Sequence, residues 1–355
     1  MNSDVQRLLV TGGAGFIGSA LVQMLLGQPR VQVLNLDKVT YAANPEALER
    51  FATEPNYRFV QGDICDRPLV DKLLAEFKPQ GIIHLAAESH VDRSIDDAAG
   101  FLQTNIMGTH VLLDAALGYW RGLQGAEREA FRFLHVSTDE VYGSLGPEGL
   151  FREDSPYLPN SPYSASKASS DLLVRAWHQT YELPTVVCHA SNNYGPCQFP
   201  EKLIPLMIIK AQAAQELPVY GKGDNVRDWM HVSDHVRGLL AALERGRVGQ
   251  TYNLGGGVEL TNLELVRRIC RLLDQELAGS RRQPHEELIT FVSDRPGHDQ
   301  RYALDIAKAQ TELGWAPQVE FGQGLADTVR WYLGNQAWWE RILKERYNGV
   351  RLGLA

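Results

Sequence analysis

An α/β fold organised on a doubly wound parallel sheet is predicted for this chain of 355 residues by three observations. Short apolar runs alternate with helix-period segments from residue 7 to residue 190. The first run opens directly into a glycine turn and a helix, Val10-Thr11-Gly12-Gly13-Ala14-Gly15-Phe16-Ile17-Gly18. Thr11, Asp37, Asp63, Ala86 and Thr138 each follow an apolar run, which sets them along one edge of the sheet, at the carboxyl ends of its strands.

Arg7-Leu8-Leu9-Val10-Thr11 reads as the first strand, and Ala20, Leu21, Met24 and Leu25 mark the apolar face of the helix that follows. Gly12, Gly15 and Gly18 hold the first, fourth and seventh places of the turn. Glycine there permits close approach of backbone to a pyrophosphate, whose charge meets the free N–H groups of the helix N-terminus. Glycine turns also serve packing, but the second strand, Val31 to Leu36, ends at Asp37, 19 residues beyond Gly18. A carboxylate at that place accepts hydrogen bonds from an adenosine ribose and repels a 2′-phosphate, so NAD is favoured over NADP.

Tyr57-Arg58-Phe59-Val60 is the third strand, leading to Gly62-Asp63-Ile64, and Leu69 to Phe77 is a helix. Asp63 either meets the adenine end of the cofactor or caps that helix. Gly81-Ile82-Ile83-His84-Leu85 is a buried strand ending in Ala86-Ala87, small residues that suit either close passage of a cofactor or tight packing. Phe101 to Tyr119 carries a long helical pattern that begins near Thr104-Asn105. Phe133 to Val136 is a strand that ends in Ser137-Thr138-Asp139-Glu140-Val141-Tyr142, and a Gly/Pro-rich loop runs from Gly143 to Pro162. The next helix, to about Tyr181, carries Tyr163 and Lys167 four residues apart on one face. Thr185 to Ala190 is a further strand. Beyond it the rhythm is irregular, with a helix from Val232 to Glu244 and a strand from Gln250 to Leu254 that resembles one more member of the main sheet. The expected division is therefore a cofactor-binding part in 1–190, with a return near 230–255, interleaved with a smaller substrate lobe in 191–355. The tail from Trp331 to Ala355 is aromatic and polar and suggests packing only.

Composition narrows the partners. A net charge of −8 argues against nucleic acid or an anionic membrane held by bulk charge. No apolar run approaches the ~20 residues of a membrane span. Cys65, Cys188, Cys197 and Cys270 lack metal-ligand spacing, so no metal is expected and a reduced, cytoplasmic setting is. A phenol, an ammonium, a hydroxyl and two adjacent carboxyl groups (Tyr163, Lys167, Thr138, Asp139 and Glu140) form an acid–base set if the fold brings them together.

These runs, in this order, resemble the extended short-chain dehydrogenase/reductase superfamily and, within it, the nucleotide-sugar dehydratases. The resemblance also rests on Leu85-Ala86-Ala87-Glu88-Ser89-His90-Val91-Asp92-Arg93-Ser94, Ser161 to Lys167, Ser191 to Pro196, Phe199 to Pro205, Arg227-Asp228-Trp229 and Arg295-Pro296-Gly297-His298-Asp299. It implies a Rossmann-type fold and an NAD-dependent hydro-lyase. The implied reaction converts dTDP-glucose to dTDP-4-keto-6-deoxyglucose, a precursor of rhamnose and other deoxysugars. It proceeds by transient oxidation at C4, loss of the C5 proton and the 6-hydroxyl, and return of hydride to C6. Tyr163, with its phenol lowered by Lys167, takes the 4-hydroxyl proton beside Thr138; Glu140 is the C5 base and Asp139 the acid for the leaving hydroxyl. The cofactor side is expected at Gly12, Gly15, Phe16, Ile17, Gly18, Asp37, Lys38, Asp63, Ile64, Leu85, Ala86, Ala87, Ser89, Thr104 and Asn193, with Tyr163 and Lys167. The nucleotide-sugar side is expected at Ser89, Thr138, Asn192, Lys202, Leu203, Pro218, Tyr220, Arg227, Asn262, Arg295 and His298, with the two arginines suited to a diphosphate. A homodimer through apolar helix faces near Leu102–Leu117 and Leu172–Tyr181 is also implied.

Cys197 and His231 depart from the family pattern, where aromatic residues are usual, and are expected to bear on substrate fit. Two rivals frame the reading. A nucleotide-sugar 4-epimerase needs no acid pair, and a silent NAD-binding scaffold typically loses the tyrosine or lysine that this chain retains.

Overall fold

The computed structural model of the protein describes residues 6–44, 46–49, 51–278 and 284–347. Six strands follow the predicted rhythm: β1 (Gln6–Thr11), β2 (Val31–Asp37), β3 (Tyr57–Gln61), β4 (Gly81–His84), β5 (Arg132–Thr138) and β6 (Thr185–Ala190). Six further strands come after them: β7 (Asn192–Tyr194), β8 (Leu217–Tyr220), β9 (Val226–His231), β10 (Thr251–Leu254), β11 (Glu259–Thr261) and β12 (Ile289–Val292). The main sheet is parallel throughout, in the order β10-β6-β5-β4-β1-β2-β3. Strand order reverses between β1 and β4, which opens a crevice at their carboxyl ends.

Both faces of the sheet are covered, so the central strands are apolar on both sides. Along β1, Leu8 and Val10 join a core with Leu21, Val22 and Leu25, whereas Leu9 joins the opposite core with Leu112, Leu113 and Leu117. This alternation is the period of two that a pleated strand imposes. A separate core builds the smaller lobe, from Ile204, Met207 and Ile208 against Leu265, Ile269, Leu325 and Val329. The late strand β10 returns to the main sheet beside β6, in the register Thr251↔Val187 to Leu254↔Ala190.

The structure revises the long helix after β4. An α-helical turn at Ala98–Phe101 passes into a π-helical stretch at Leu102–Gly108 before the α-helix Thr109–Gly122. Asn105 in that stretch reaches out of the helix. Its amide oxygen accepts from the Glu88 N–H at 2.9 Å, and its amide nitrogen donates to the Glu88 carbonyl at 3.0 Å and to Ser166 Oγ at 2.8 Å. The extra residue per turn aims this side chain at a backbone that has no strand partner.

The C-terminal tail is more than loose packing. Gln336–Glu345 forms a helix whose Trp339 enters the smaller lobe's core. Trp338 Nε1 donates to Asn44 Oδ1 at 3.0 Å, and Arg341 and Arg346 both pair with Glu46. The rest of the tail, 348–355, lies outside the described residues. Among the described residues, no helix is long and apolar enough to cross a membrane.

Candidate active site

The glycine turn and the crevice are built for each other. Gly12 has φ of +74°, and a Cβ there would come within 2.6 Å of the Ala86 backbone nitrogen; a Cβ on Gly18 would come within 2.1 Å of the Gly12 carbonyl. Only glycine fits either place. The helix Phe16–Leu26 begins after Gly15 with no side chain capping its first N–H groups, which leaves them able to meet an anion. Asp37 closes the turn from β2, accepting from the N–H groups of Ala14 at 2.9 Å and Val39 at 2.7 Å. Burial raises the pKa of its carboxyl, and these two N–H groups oppose the shift. Lys38 pairs with Asp63 at 2.7 Å. The cap of the helix Arg67–Phe77 is Asp66 rather than Asp63, which removes the helix-capping alternative for Asp63.

A cavity of about 320 Å³ runs along this edge and is lined by every residue expected on the cofactor side, from Gly12 and Asp37 through Ala86, Ser89 and Thr104 to Tyr163, Lys167 and Asn193. Missing Cβ atoms, uncapped helix N–H groups and a carboxylate at the second strand fit a dinucleotide. A second cavity, of about 410 Å³, is lined by Ser89, Asn192, Lys202, Leu203, Pro218, Tyr220, Arg227, Asn262, Arg295 and His298. Thr138 lines the first cavity. The two cavities share Ser89, Glu140, Asn192, Glu201 and Lys202.

The acid–base set lines the first cavity, and its Glu140 reaches the junction with the second. Thr138 ends β5, and Asp139–Tyr142 forms a single 3₁₀ turn capped by the Thr138 hydroxyl. This turn places Asp139 and Glu140 beside the strand end, with Asp139 at the first cavity and Glu140 at both. Asp139 is 2 % exposed, and its Oδ2 has no hydrogen-bond partner. Burial, followed by the charges of Glu140 and Asp228, pushes its carboxyl well up. Burial also raises Glu140, but Arg295, Arg227 and Lys202 all pull it back toward the ionised form. Adjacent carboxyl groups in such different surroundings suit one acid and one base.

Tyr163 and Lys167 stand on the helix Pro162–Tyr181, which starts at a capping box formed by Ser161 and Ser164 with Pro162 at its first position. Lys167 Nζ donates to the Val136 carbonyl at 2.8 Å. Burial lowers the ammonium to about 8, and the carboxylate of Asp171 opposes the fall. Against the expected lowering of the phenol, burial, then the charge of Glu140, pushes Tyr163 up, and the Thr138 hydroxyl opposes the rise.

In the second cavity Arg227 is 5 % exposed, lies 4.3 Å over the Tyr302 ring and donates to the carbonyls of Val226 and Asp299. Among the described residues no carboxylate lies within ion-pair distance of it, and the nearby Glu140 and Asp139 act on its charge from farther away. Arg295 pairs with Asp92 at 2.9 Å, and its buried Nε has no partner. Asp92 also accepts from the Tyr220 hydroxyl at 3.0 Å, and His298 lies 2.7 Å from Asp294. Asn193 instead meets His235 Nδ1 at 3.0 Å on the cofactor side.

Cys197 and His231 line neither cavity. Cys197 holds a backbone with φ of +66°, and His231 caps the helix Val232–Arg245. The expectation that these departures bear on substrate fit is therefore corrected to a local structural role. Other residues reach the cavities unforeseen. Glu201 lines both, accepting from Tyr41 and from Arg93, each at 3.0 Å, with His90 3.9 Å away. Its only signal was its place in the Phe199–Pro205 run. Asp92 belongs to the Leu85–Ser94 run with no chemistry marked by its neighbours, and Tyr302 lies in irregular chain that carries no pattern.

A doubly wound dinucleotide fold with a Tyr-x-x-x-Lys helix and an acid pair at the strand end is that of an extended short-chain dehydrogenase/reductase adapted to eliminate water. The chain matches the family described as GDP-mannose 4,6 dehydratase over residues 9–328. It is 55 % identical to the dTDP-glucose 4,6-dehydratase of Neisseria meningitidis, over 98 % of this chain and 99 % of that one. A dTDP-glucose 4,6-dehydratase of Streptomyces venezuelae, solved with NAD and TYD bound, superposes with a TM-score of 0.86 at 47 % identity, covering 95 % of this chain and 100 % of the other. A UDP-glucose 4-epimerase of Thermotoga maritima gives 0.81 at 30 % identity, covering 93 % and 100 %. The chain belongs to the dTDP-glucose 4,6-dehydratase family.

Proposed function

We propose that the protein dehydrates dTDP-glucose to dTDP-4-keto-6-deoxyglucose, with NAD held by the first cavity and the nucleotide sugar by the second. The observation that carries this reading is the Asp139–Glu140 pair at the junction of the two cavities, beside Tyr163. Residues 1–190 and the return near 230–255 hold the cofactor, and 191–355 supply most of the nucleotide-sugar side. When bound, NAD supplies the hydride acceptor for C4 and the donor for C6.

The chain's own residues handle the protons. Tyr163, whose ionised form is favoured by the Thr138 hydroxyl and by the positive charge of Lys167 on the same helix, takes the proton from the 4-hydroxyl as C4 becomes a carbonyl, and Thr138 hydrogen-bonds the same oxygen. The carbonyl acidifies the C5–H, and Glu140, kept toward its ionised form by Arg227, Arg295 and Lys202, removes that proton and returns a proton to C5 once C6 has been reduced. Asp139, held protonated by burial and by Glu140, gives its proton to the 6-oxygen as water departs. Arg227 and Arg295 place the diphosphate, which orients the sugar toward the pair.

Proton NMR of the product tests the reading: a new C6 methyl signal and loss of water support dehydration, whereas a retained hydroxymethyl group with inverted C4 identifies a 4-epimerase. Comparing dTDP-, UDP- and GDP-glucose fixes the nucleotide, with dTDP-glucose expected to turn over fastest. The same reading includes a homodimer, supported by Leu102, Met107, Leu172 and Tyr181, which are exposed on neighbouring helical segments.

A further inference from the structure

We propose that Asp171 is a positioning residue of this reaction: its carboxylate, buried one helical turn beyond Lys167, is the counter-charge to the Lys167 ammonium and is fixed by side chains from two strands of the main sheet. The proposal rests on the dehydratase reading only in that Lys167 serves the reaction.

Asp171 and Lys167 stand four apart on one face of the helix Pro162–Tyr181. Both are buried, at 2 % and 4 % exposure. From β5, Ser137 Oγ donates to Asp171 Oδ2 at 2.8 Å, and His135 Nε2 lies 3.1 Å from Oδ1 without a well-aligned hydrogen bond. From β6, His189 Nε2 meets Oδ2 at 3.0 Å. The other ring nitrogen of His189 meets the Tyr142 hydroxyl at 2.7 Å, and Tyr157, from the loop after the 3₁₀ turn, meets Nε2 at 3.0 Å. From β4, His84 stacks near His135, with ring centroids 5.1 Å apart, and is itself held between Thr11 and Thr109.

Among these groups the carboxylate is the one that favours a charged lysine. Burial, with the nearby ammonium adding to it, keeps His84 and His135 neutral, so neither histidine neutralises Asp171. Despite its burial, the Asp171 carboxyl is held far below the carboxylate range by the two histidines, His189 bonded to Oδ2 and His135 close to Oδ1. The fold therefore seats one buried anion four residues from one buried cation on the same helix, with Lys167 Nζ on the Val136 carbonyl and Asp171 on the adjacent Ser137 hydroxyl, so removal of either charge leaves the other buried without its counter-charge. Lys167 is already down at about 8 with the carboxylate opposing the fall, so loss of the anion would lower it further and raise its neutral fraction at pH 7.

The test follows the pH dependence with which cyanate modifies Lys167, read by peptide mass spectrometry, in the purified full-length protein. Only the neutral amine reacts, so the midpoint reports the lysine itself. In Asp171→Asn the midpoint is expected to move acidward by about one unit or more, with turnover falling most on the alkaline side. In Tyr157→Phe, which removes a bond of the same network but keeps the carboxylate, it is expected to stay in place. A folded Asp171→Asn protein with an unmoved midpoint would overturn the proposal. If Asp171→Asn does not fold, the double variant Asp171→Asn/Lys167→Met decides. Recovered folding when both charges are gone supports the pairing, and a double variant that is equally unfolded overturns it. Failure of the wild-type protein to form a 4-keto product would strike the proposed function and leave the cyanate midpoint readable.

Discussion

At the scale of single residues, the chemistry depends on two neighbouring carboxyl groups behaving differently. The environments described above assign the acid to Asp139 and the base to Glu140, and the assignment has a sign in pH. Glu140 must be ionised, and its carboxyl is raised from 4.5, so turnover falls as pH drops through a value above 4.5. Asp139 must be protonated, so turnover falls again as pH rises through its elevated value. Glu140→Gln is expected to lower product formation by about 10²–10⁴-fold and yet to leave the first oxidation intact. Stopped-flow absorbance of the reduced cofactor on first mixing checks this, and a variant that shows no such burst would remove Glu140 from the C5 step. The sequence made these residues legible because they sit at the end of an apolar strand in a contiguous run. Glu201, Asp92 and Tyr302 were not, because what gives them access to the cavities is the packing of loops from distant parts of the chain.

At the scale of elements, strands were the more legible part. A buried parallel strand announces itself by a short run rich in β-branched and aliphatic residues, and β1, β2, β5 and β6 all carry one. The π-helical stretch could not be read, because its apolar spacing differs from an α-helix by one residue and its cause is a contact with Glu88 that is distant in sequence. That contact has a consequence for the cofactor cavity. Asn105 satisfies the backbone of Glu88, which follows the Ala86-Ala87 segment lining the cavity, and ties it to Ser166 beside Lys167. Asn105→Ala leaves the Glu88 N–H and carbonyl without these partners, at a cost of about 1–3 kcal/mol. Urea denaturation should show that loss, and NAD affinity measured by calorimetry should weaken with it. A variant of unchanged stability would mean that water or a shifted backbone replaces the amide.

At the scale of the whole molecule, the chain crosses between lobes more than once, and this is why a single boundary is hard to read from composition. Strand β10 completes the main sheet from within the second half of the chain, and the C-terminal helix returns to Glu46 in the first. Each junction residue of the two cavities, including Glu140 and Lys202, belongs to the same chain, so one subunit contains a full set of the proposed catalytic groups. Dimerisation would then support the site from behind rather than complete it. Leu172 is 57 % exposed on the same helix as Tyr163 and Lys167, and Leu102 and Met107 are each 46 % exposed on the π-helical stretch packed beside it. Leu172→Glu puts a charge on that apolar face. Because the residue is exposed in the isolated subunit, the substitution should change the subunit's own stability by no more than about 0.5 kcal/mol. Burying the charge in an interface is far more costly. Sedimentation should therefore give a dimer for the wild-type protein and a monomer for Leu172→Glu, with the nucleotide-sugar site of the monomer still able to bind dTDP. A variant that remains dimeric would place the subunit contact on another face.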